Sequence, residues 1–302
     1  MVKVSSREYY GTPAVITRIL GHDDFLDWLR PDPVILCQVA QGLIIHDGWL
    51  NRYEAKVRDE QWFKECLPTA QAMLDKVYKL DKRNPAIPRA PENRIIGCCR
   101  DFTTLLCAFL RYKKIPSRAR CGFSTYLAYP GYYEDHWVCE VWINEEWVRM
   151  DAQVDPFQQS TIRMNYSHFK LLEGAFITGG EAWLMCRERG FDPMRFGISG
   201  NPKEYNLDSL YGQWFVRGNL LRDFAALNKV ETVPYLIRLN RNHDWKEWRL
   251  VGSSDSELSE EDFRILDEVA KLSLDSDANL NKIRRLYNDN IDLQPPKSHL
   301  FS

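Results

Sequence analysis

Three side chains in the middle of the chain are of the types that perform nucleophilic chemistry together: Cys99, His136 and Asp151. A cysteine attacks a carbonyl carbon as its thiolate, while a neighbouring imidazole removes the thiol proton and later protonates the leaving group. A carboxylate on the far side of the imidazole fixes the ring and its tautomer. These residue types predict acyl transfer through a thioester if the fold brings them together.

The segment that follows Cys99 has the pattern of a helix with a buried face. Apolar residues recur at spacings of three and four, at Phe102, Leu105, Leu106, Phe109 and Leu110. Cys99 then lies in the first turn, where unpaired backbone N–H groups and the helix dipole favour a thiolate. Gly97 leaves room for a close approach of backbone or substrate. We interpret Cys99 as the nucleophile, with Cys98 as the alternative.

A β-hairpin is expected to bring His136 and Asp151 together. Residues 137–143 and 147–151 alternate between apolar and polar, and Asn144-Glu145 separates them. A two-residue loop pairs odd positions with even ones, which puts His136 and Asp151 on the same face. A three-residue loop would break this registry.

Several other residues have both a structural and a functional interpretation. Asp101 is suited to stabilise the helix dipole, and His46 and His168 are expected to be structural. The aromatic run 126–133 is either a substrate-side loop or a loop packed on its own tyrosines. The polar side chains of one candidate helix form a buried network or line the pocket: Arg217, Asn219, Arg222 and Asp223.

Composition narrows the class of protein. The chain has 302 residues, of which 44% are hydrophobic, and 40 Lys+Arg stand against 42 Asp+Glu. This balance predicts neither nucleic acid nor membrane as a partner. The absence of a signal-peptide pattern and of long apolar runs favours a cytoplasmic protein. The eight cysteines are irregularly spaced without a Cys-x-x-Cys pair, so neither a disulfide framework nor a metal or other cofactor is predicted.

The order of patterns predicts an α+β fold with four parts. Residues 1–90 read as a helical N-terminal elaboration that includes an apolar run at 33–46 and a helical repeat at 58–80. Residues 91–160 form the catalytic core, with a helix at 99–113 and strands at 117–127, 137–143 and 147–151. Residues 161–250 form a helical part packed on the core, with helices at 180–189 and 210–228. Residues 251–302 hold C-terminal helices and a tail, and a capping box at Ser259 opens the helix at 263–272.

Two stretches resemble the transglutaminase-like superfamily. The first is Cys99-Arg100-Asp101-Phe102, followed by a leucine-rich helix, Ile115-Pro116-Ser117-Arg118 and Gly122-Phe123. It is similar to the superfamily's nucleophile helix, with Lys114 and Ser117 in place of the usual glycine and alanine. The second, from Asp135-His136-Trp137 through Trp147 to Asp151, resembles the strands that carry the histidine and aspartate; Ala152-Gln153 replaces the usual Pro-Thr. The whole chain also resembles a group of bacterial transglutaminase-like proteins.

The resemblance implies a papain-like core, in which the nucleophile helix packs on an antiparallel sheet, and a Cys99–His136–Asp151 triad. It implies a hydrolase or acyltransferase acting on a peptide, a protein or a small amide. The backbone N–H of Cys99 would supply half of an oxyanion hole, and Trp49 and Trp62 are candidates for the other donor. A non-catalytic binding protein that retains the fold is the alternative.

Overall fold

The computed structural model describes residues 4–56, 67–198, 210–233, 247–297 and 300. The helices are α1 (Ser6–Tyr10), α2 (Asp23–Trp28), α3 (Pro33–Leu43), α4 (Ala70–Leu80), α5 (Cys99–Tyr112), α6 (Pro156–Thr161), α7 (Gly179–Arg189), α8 (Gln213–Leu227), α9 (Arg249–Gly252), α10 (Glu260–Leu274) and α11 (Leu280–Asp289). The strands are β1 (Ile44–His46), β2 (Ile95–Gly97), β3 (Ser117–Ser124), β4 (Tyr133–Ile143), β5 (Glu146–Met150), β6 (Phe176–Thr178) and β7 (Phe196–Gly197). This mixture is the α+β class that the sequence predicts. No helix in the described part of the chain is long and apolar enough to span a membrane.

The main sheet has the strand order β5-β4-β3-β6, and its neighbours along this path are antiparallel. The short strand β7 adds a parallel pair to the beginning of β4. Strands β4 and β5 form the predicted hairpin, with Ile143 opposite Glu146. The two loop residues, Asn144 and Glu145, have φ angles of 49° and 67°. Two positive φ values in succession are typical of a type I′ turn, and the two-residue loop is confirmed.

Helix α5 lies at the centre of the largest hydrophobic core, between the sheet and helices α3 and α4. Its apolar stripe is buried as predicted, but so are its other faces. Arg111 is completely buried and forms an ion pair with Glu231, with 2.9 Å between Nη1 and Oε1. Arg100, also completely buried, donates from Nη2 to the backbone oxygen of Glu231 at 2.5 Å. The segment after α8 therefore supplies partners for the buried charges of α5.

The helical interpretation of residues 33–46 is wrong at its C-terminal end. Helix α3 ends at Leu43, and Ile44 and Ile45 continue as strand β1, which pairs in parallel with β2. β-Branched side chains favour an extended backbone, and both isoleucines are buried on their partner strand. This ladder places His46 opposite Gly97, so the chain that follows β1 lies beside the start of α5. The helical repeat predicted at 58–80 begins outside the described residues and is observed as α4.

Helix α8 covers the part of β3 that has no strand partner on the β6 side. Strand β6 pairs only with residues 122–124. The carboxylate of Asp223 accepts the backbone N–H of Cys121 at 3.0 Å and two hydrogen bonds from Arg120 at 2.9 and 2.8 Å. Asn219 donates from Nδ2 to the backbone oxygen of Gly122 at 2.9 Å. These polar residues of α8 thus form a buried network that provides hydrogen-bond partners for backbone groups of β3.

Candidate functional site

Cys99 is the first residue of α5, and the turn around it is held by Asp101. Cys98 is the N-cap residue, and its backbone N–H donates to Asp101 Oδ2 at 2.9 Å. A Cβ atom on Gly97 would lie 2.9 Å from the same oxygen. A side chain at position 97 would therefore have to displace the capping carboxylate, and Asp101 has a capping role at the helix N-terminus.

The electrostatic surroundings of Cys99 differ from the sequence-based expectation of a thiolate. A hydrogen bond from the Cys98 thiol lowers the pKa of Cys99, but burial and the nearby carboxyl of Asp135 raise it, and the net pKa is above the usual value. The side chain is only 7% exposed. The isolated thiol is therefore neutral at pH 7, and its activation requires a base.

The backbone N–H of Trp137 also lowers the pKa of the Cys99 thiol by hydrogen bonding to it. Trp142 N–H donates to Pro116 O at 2.9 Å, on the β3 side of β4. N–H groups alternate between the two edges of a strand, so the N–H of Trp137 points to the opposite edge. Strand β5 ends at Met150, opposite Cys139, and leaves that edge open at Trp137. The groups that act on the pKa of Cys99 thus include a backbone N–H of the strand that carries His136.

His136 and Asp151 form a buried hydrogen-bonded pair on the face predicted by the hairpin registry. The distance from His136 Nε2 to Asp151 Oδ2 is 2.8 Å, and the side chains are 1% and 0% exposed. The other carboxylate oxygen of Asp151, Oδ1, accepts the backbone N–H groups of Gln153 at 2.8 Å and Val154 at 3.3 Å. Burial alone would raise the pKa of Asp151, but His136 and the other donors outweigh it, so the pKa lies below its usual value.

These contacts define which atoms remain available for chemistry. Because His136 Nε2 is engaged by Asp151, Nδ1 is the ring nitrogen left to exchange a proton with a reacting group. Within the described residues, no hydrogen bond links the Cys99 sulfur to the His136 ring, and the groups that lower the pKa of Cys99 are the Cys98 thiol and the Trp137 N–H. The thiol and the imidazole are thus not joined by a preformed hydrogen bond in the described part of the chain.

Tyr126 is a site residue that the sequence interpretation did not single out. Its hydroxyl donates to Asp151 Oδ2 at 2.6 Å, and its ring meets the His136 ring edge-on at 6.0 Å. Two other tyrosines of the same loop, Tyr129 and Tyr132, are 67% and 46% exposed. The run 126–133 is therefore divided between the half-buried Tyr126 beside His136 and Asp151 and the exposed Tyr129 and Tyr132. The available signal was its position, two residues after the strand that pairs with the histidine strand.

The remaining candidates occupy structural or peripheral positions. His46 accepts the backbone N–H of Gly48 at a 3₁₀ turn, and His168 is buried, with its backbone oxygen accepting the Asp151 N–H at 2.8 Å. Trp49 lies in that 3₁₀ turn with the Arg52 guanidinium over its ring, and Trp62 falls outside the described residues. Among the described residues, no cluster of three or more His, Cys, Asp or Glu side chains is arranged to bind a metal ion.

Of the comparisons with known proteins, the one with protein-family models found a match. Neither the search of curated proteins nor the search of solved structures returned a match. Residues 48–152, a segment that includes Cys99, His136 and Asp151, match the family model described as the transglutaminase-like superfamily. This part of the chain is therefore a transglutaminase-like domain of that superfamily.

Proposed function

We propose that the protein is a cysteine-dependent enzyme that hydrolyses or transfers the acyl group of an amide. The observation that carries the proposal is the buried His136–Asp151 pair at 2.8 Å, together with Cys99 at the start of helix α5, which packs on the strand that carries His136. A buried carboxylate on Nε2 leaves Nδ1 unprotonated and able to accept a proton. The substrate class is a peptide, a protein or a small amide.

The chemical steps follow from these positions. His136 removes the proton from the Cys99 thiol, and the sulfur attacks the amide carbonyl carbon. The backbone N–H of Cys99, at the N-terminus of α5, is suited to stabilise the negative oxygen that forms. Imidazolium then protonates the departing amine, and the C–N bond breaks to leave a thioester. Water or a second amine attacks the thioester, which gives an acid or a new amide and restores the thiol.

A non-catalytic binding protein is the second candidate, and one observation favours it. The pKa of the Cys99 thiol is raised, and among the described residues no hydrogen bond joins the thiol to the imidazole. A protein that retained the fold without the reaction would have no need of a reactive thiol. The two candidates differ in whether Cys99 forms a thioester.

A substrate screen with matched cysteine variants tests the proposal. A library of peptides and acylated amines is incubated with wild type, Cys99→Ala and Cys98→Ala, with and without an added primary amine. We expect turnover by wild type and by Cys98→Ala, none by Cys99→Ala, and an acyl adduct on Cys99 in the intact-protein mass of quenched samples. The ratio of acid to new amide distinguishes water from an amine as acceptor. Turnover that survives Cys99→Ala, or an adduct on Cys98, would overturn this assignment.

A further inference from the structure

We infer that Tyr126 is a positioning residue of the reaction, which acts through Asp151 on the imidazole of His136. The inference rests on the proposed function and extends it by a fourth side chain. The Tyr126 hydroxyl and His136 Nε2 donate to the same oxygen, Asp151 Oδ2, at 2.6 and 2.8 Å. Two donors on one oxygen divide its negative charge, so that each alters the hydrogen bond of the other.

Tyr126 is held in place by the residue before it and by the packing of its ring. The preceding residue, Thr125, donates its N–H to the backbone oxygen of Ala175 at 3.0 Å. The ring packs against a small buried hydrophobic cluster (Val138, Val154, Met164, Leu171, Ala175 and Phe176). Tyr166 meets it edge-on at 6.5 Å. The hydroxyl position is therefore fixed by packing, as a positioning role requires.

The protonation state of Tyr126 fits a permanent donor. Burial raises its pKa, and the negative charge of Asp151, which accepts its proton in a hydrogen bond, raises it further. The phenol thus keeps its proton throughout the range in which a cysteine–histidine pair works. Tyr166 and His168 also lie within electrostatic range of Asp151, but neither side chain donates to its carboxylate in the described part of the chain.

Sharing Oδ2 has a consequence for the proton-transfer steps. A carboxylate with no second donor would hold the imidazolium more tightly, and the imidazolium would then protonate the leaving amine less readily. Tyr126 reduces the charge on Oδ2 and restrains its rotation, while Oδ1 stays bound to two backbone N–H groups. Loss of the hydroxyl should therefore reduce kcat without changing substrate affinity.

The test compares Tyr126→Phe with Tyr166→Phe, which removes a neighbouring hydroxyl that does not bind the carboxylate. For Tyr126→Phe we expect kcat to fall on the order of tenfold, the effect of one hydrogen bond to a charged group, with KM unchanged. The His136 Nε2–H proton resonance should move downfield, because Oδ2 then accepts a hydrogen bond from a single donor and that bond becomes stronger. In an Asp151→Asn background the same change should add nothing to the loss in kcat, since the carboxylate oxygen that the hydroxyl and Nε2–H share is gone. Tyr166→Phe should leave both readouts as in wild type.

The outcomes separate this inference from the proposed function. An unshifted Nε2–H resonance in Tyr126→Phe would overturn the inference even if Cys99→Ala proved inactive. A shifted resonance with unchanged kcat, or effects of Tyr126→Phe and Asp151→Asn that add fully, would also overturn it. If no substrate is turned over by wild type, the proposed function fails, and the positioning role in the reaction falls with it. A downfield shift would then establish only the Tyr126–Asp151–His136 coupling.

Discussion

Asp151→Asn is the most informative single change because the structure determines how the new amide will lie. Oδ1 of Asp151 accepts two backbone N–H groups, from Gln153 and Val154. The carbonyl oxygen of an asparagine must take that place, since an NH₂ group there would face two donors. The NH₂ group then takes the place of Oδ2 and donates to His136 Nε2 and Tyr126. The imidazole proton is thereby moved to Nδ1, the nitrogen that must accept the proton from Cys99.

The expected loss of turnover in Asp151→Asn follows from the number of buried donors that are left without an acceptor. To restore the productive tautomer, the variant must place Nε2–H against the NH₂ group, or rotate the NH₂ group against two backbone N–H groups. The less costly of these arrangements leaves two buried donors unpaired, at about 1–3 kcal/mol each. The total of about 2–6 kcal/mol corresponds to a loss of roughly 30-fold to 10⁴-fold at about 1.4 kcal/mol per factor of ten. The equivalent change in serine proteases costs about 10⁴ in turnover, which is the upper end of this range.

Two assays measure the loss of activity in Asp151→Asn. Turnover of a substrate found in the screen gives kcat directly, and the rate of Cys99 alkylation by iodoacetamide at pH 7 needs no substrate. Asp155→Asn is the matched control: Asp155 is the N-cap of α6, where asparagine serves as well, and it should behave as wild type in both assays. Circular dichroism should show that both variants fold. Full turnover and unchanged alkylation in folded Asp151→Asn would refute the tautomer argument.

Three further predictions concern the surroundings of the nucleophile and its helix. Asp135→Asn removes a charge that raises the pKa of Cys99, so alkylation of Cys99 should begin at a lower pH than in wild type. Cys98→Ala removes a hydrogen bond that lowers the same pKa, so its alkylation profile should move to higher pH; shifts in the same direction would contradict the assigned causes. Glu231→Gln leaves the completely buried Arg111 without its counter-charge and should reduce the free energy of unfolding by about 3–5 kcal/mol, measured by urea denaturation; an unchanged midpoint would show that the pair is dispensable.

The parts of the fold that the sequence predicted are those governed by local rules. The α5 stripe follows from helical periodicity, and the β4–β5 registry follows from a loop of two residues. Once that registry is known, the shared face of His136 and Asp151 follows without any tertiary information. The capping box at Ser259 is equally local, and it opens α10 at Glu260.

What the sequence did not reveal depends on contacts between distant segments. The hydrogen bond from the Cys121 N–H to the Asp223 carboxylate joins residues that are 102 positions apart. Strand β1 was assigned to a helix because a short apolar run has no periodicity of its own, and its partner β2 lies some fifty residues further along the chain. Tyr126 was missed for the same reason, since its partner Asp151 is 25 positions away.

The state of Cys99 shows why a local rule can predict the position of a nucleophile and still misjudge its charge. The Cys98 thiol and the N–H of Trp137 lower the pKa of Cys99, but burial and Asp135, which lies on the strand beside His136, raise it by more. The helix N-terminus, which also favours a thiolate, does not reverse this balance. With the net pKa raised, the thiol keeps its proton until a base removes it. The buried His136–Asp151 pair is such a base, and a substrate carbonyl that draws the sulfur towards the imidazole would complete the transfer. The proposed reaction therefore depends on the base throughout, and the hydrogen bond between Asp151 and His136 is the contact on which proton transfer from Cys99 most directly rests.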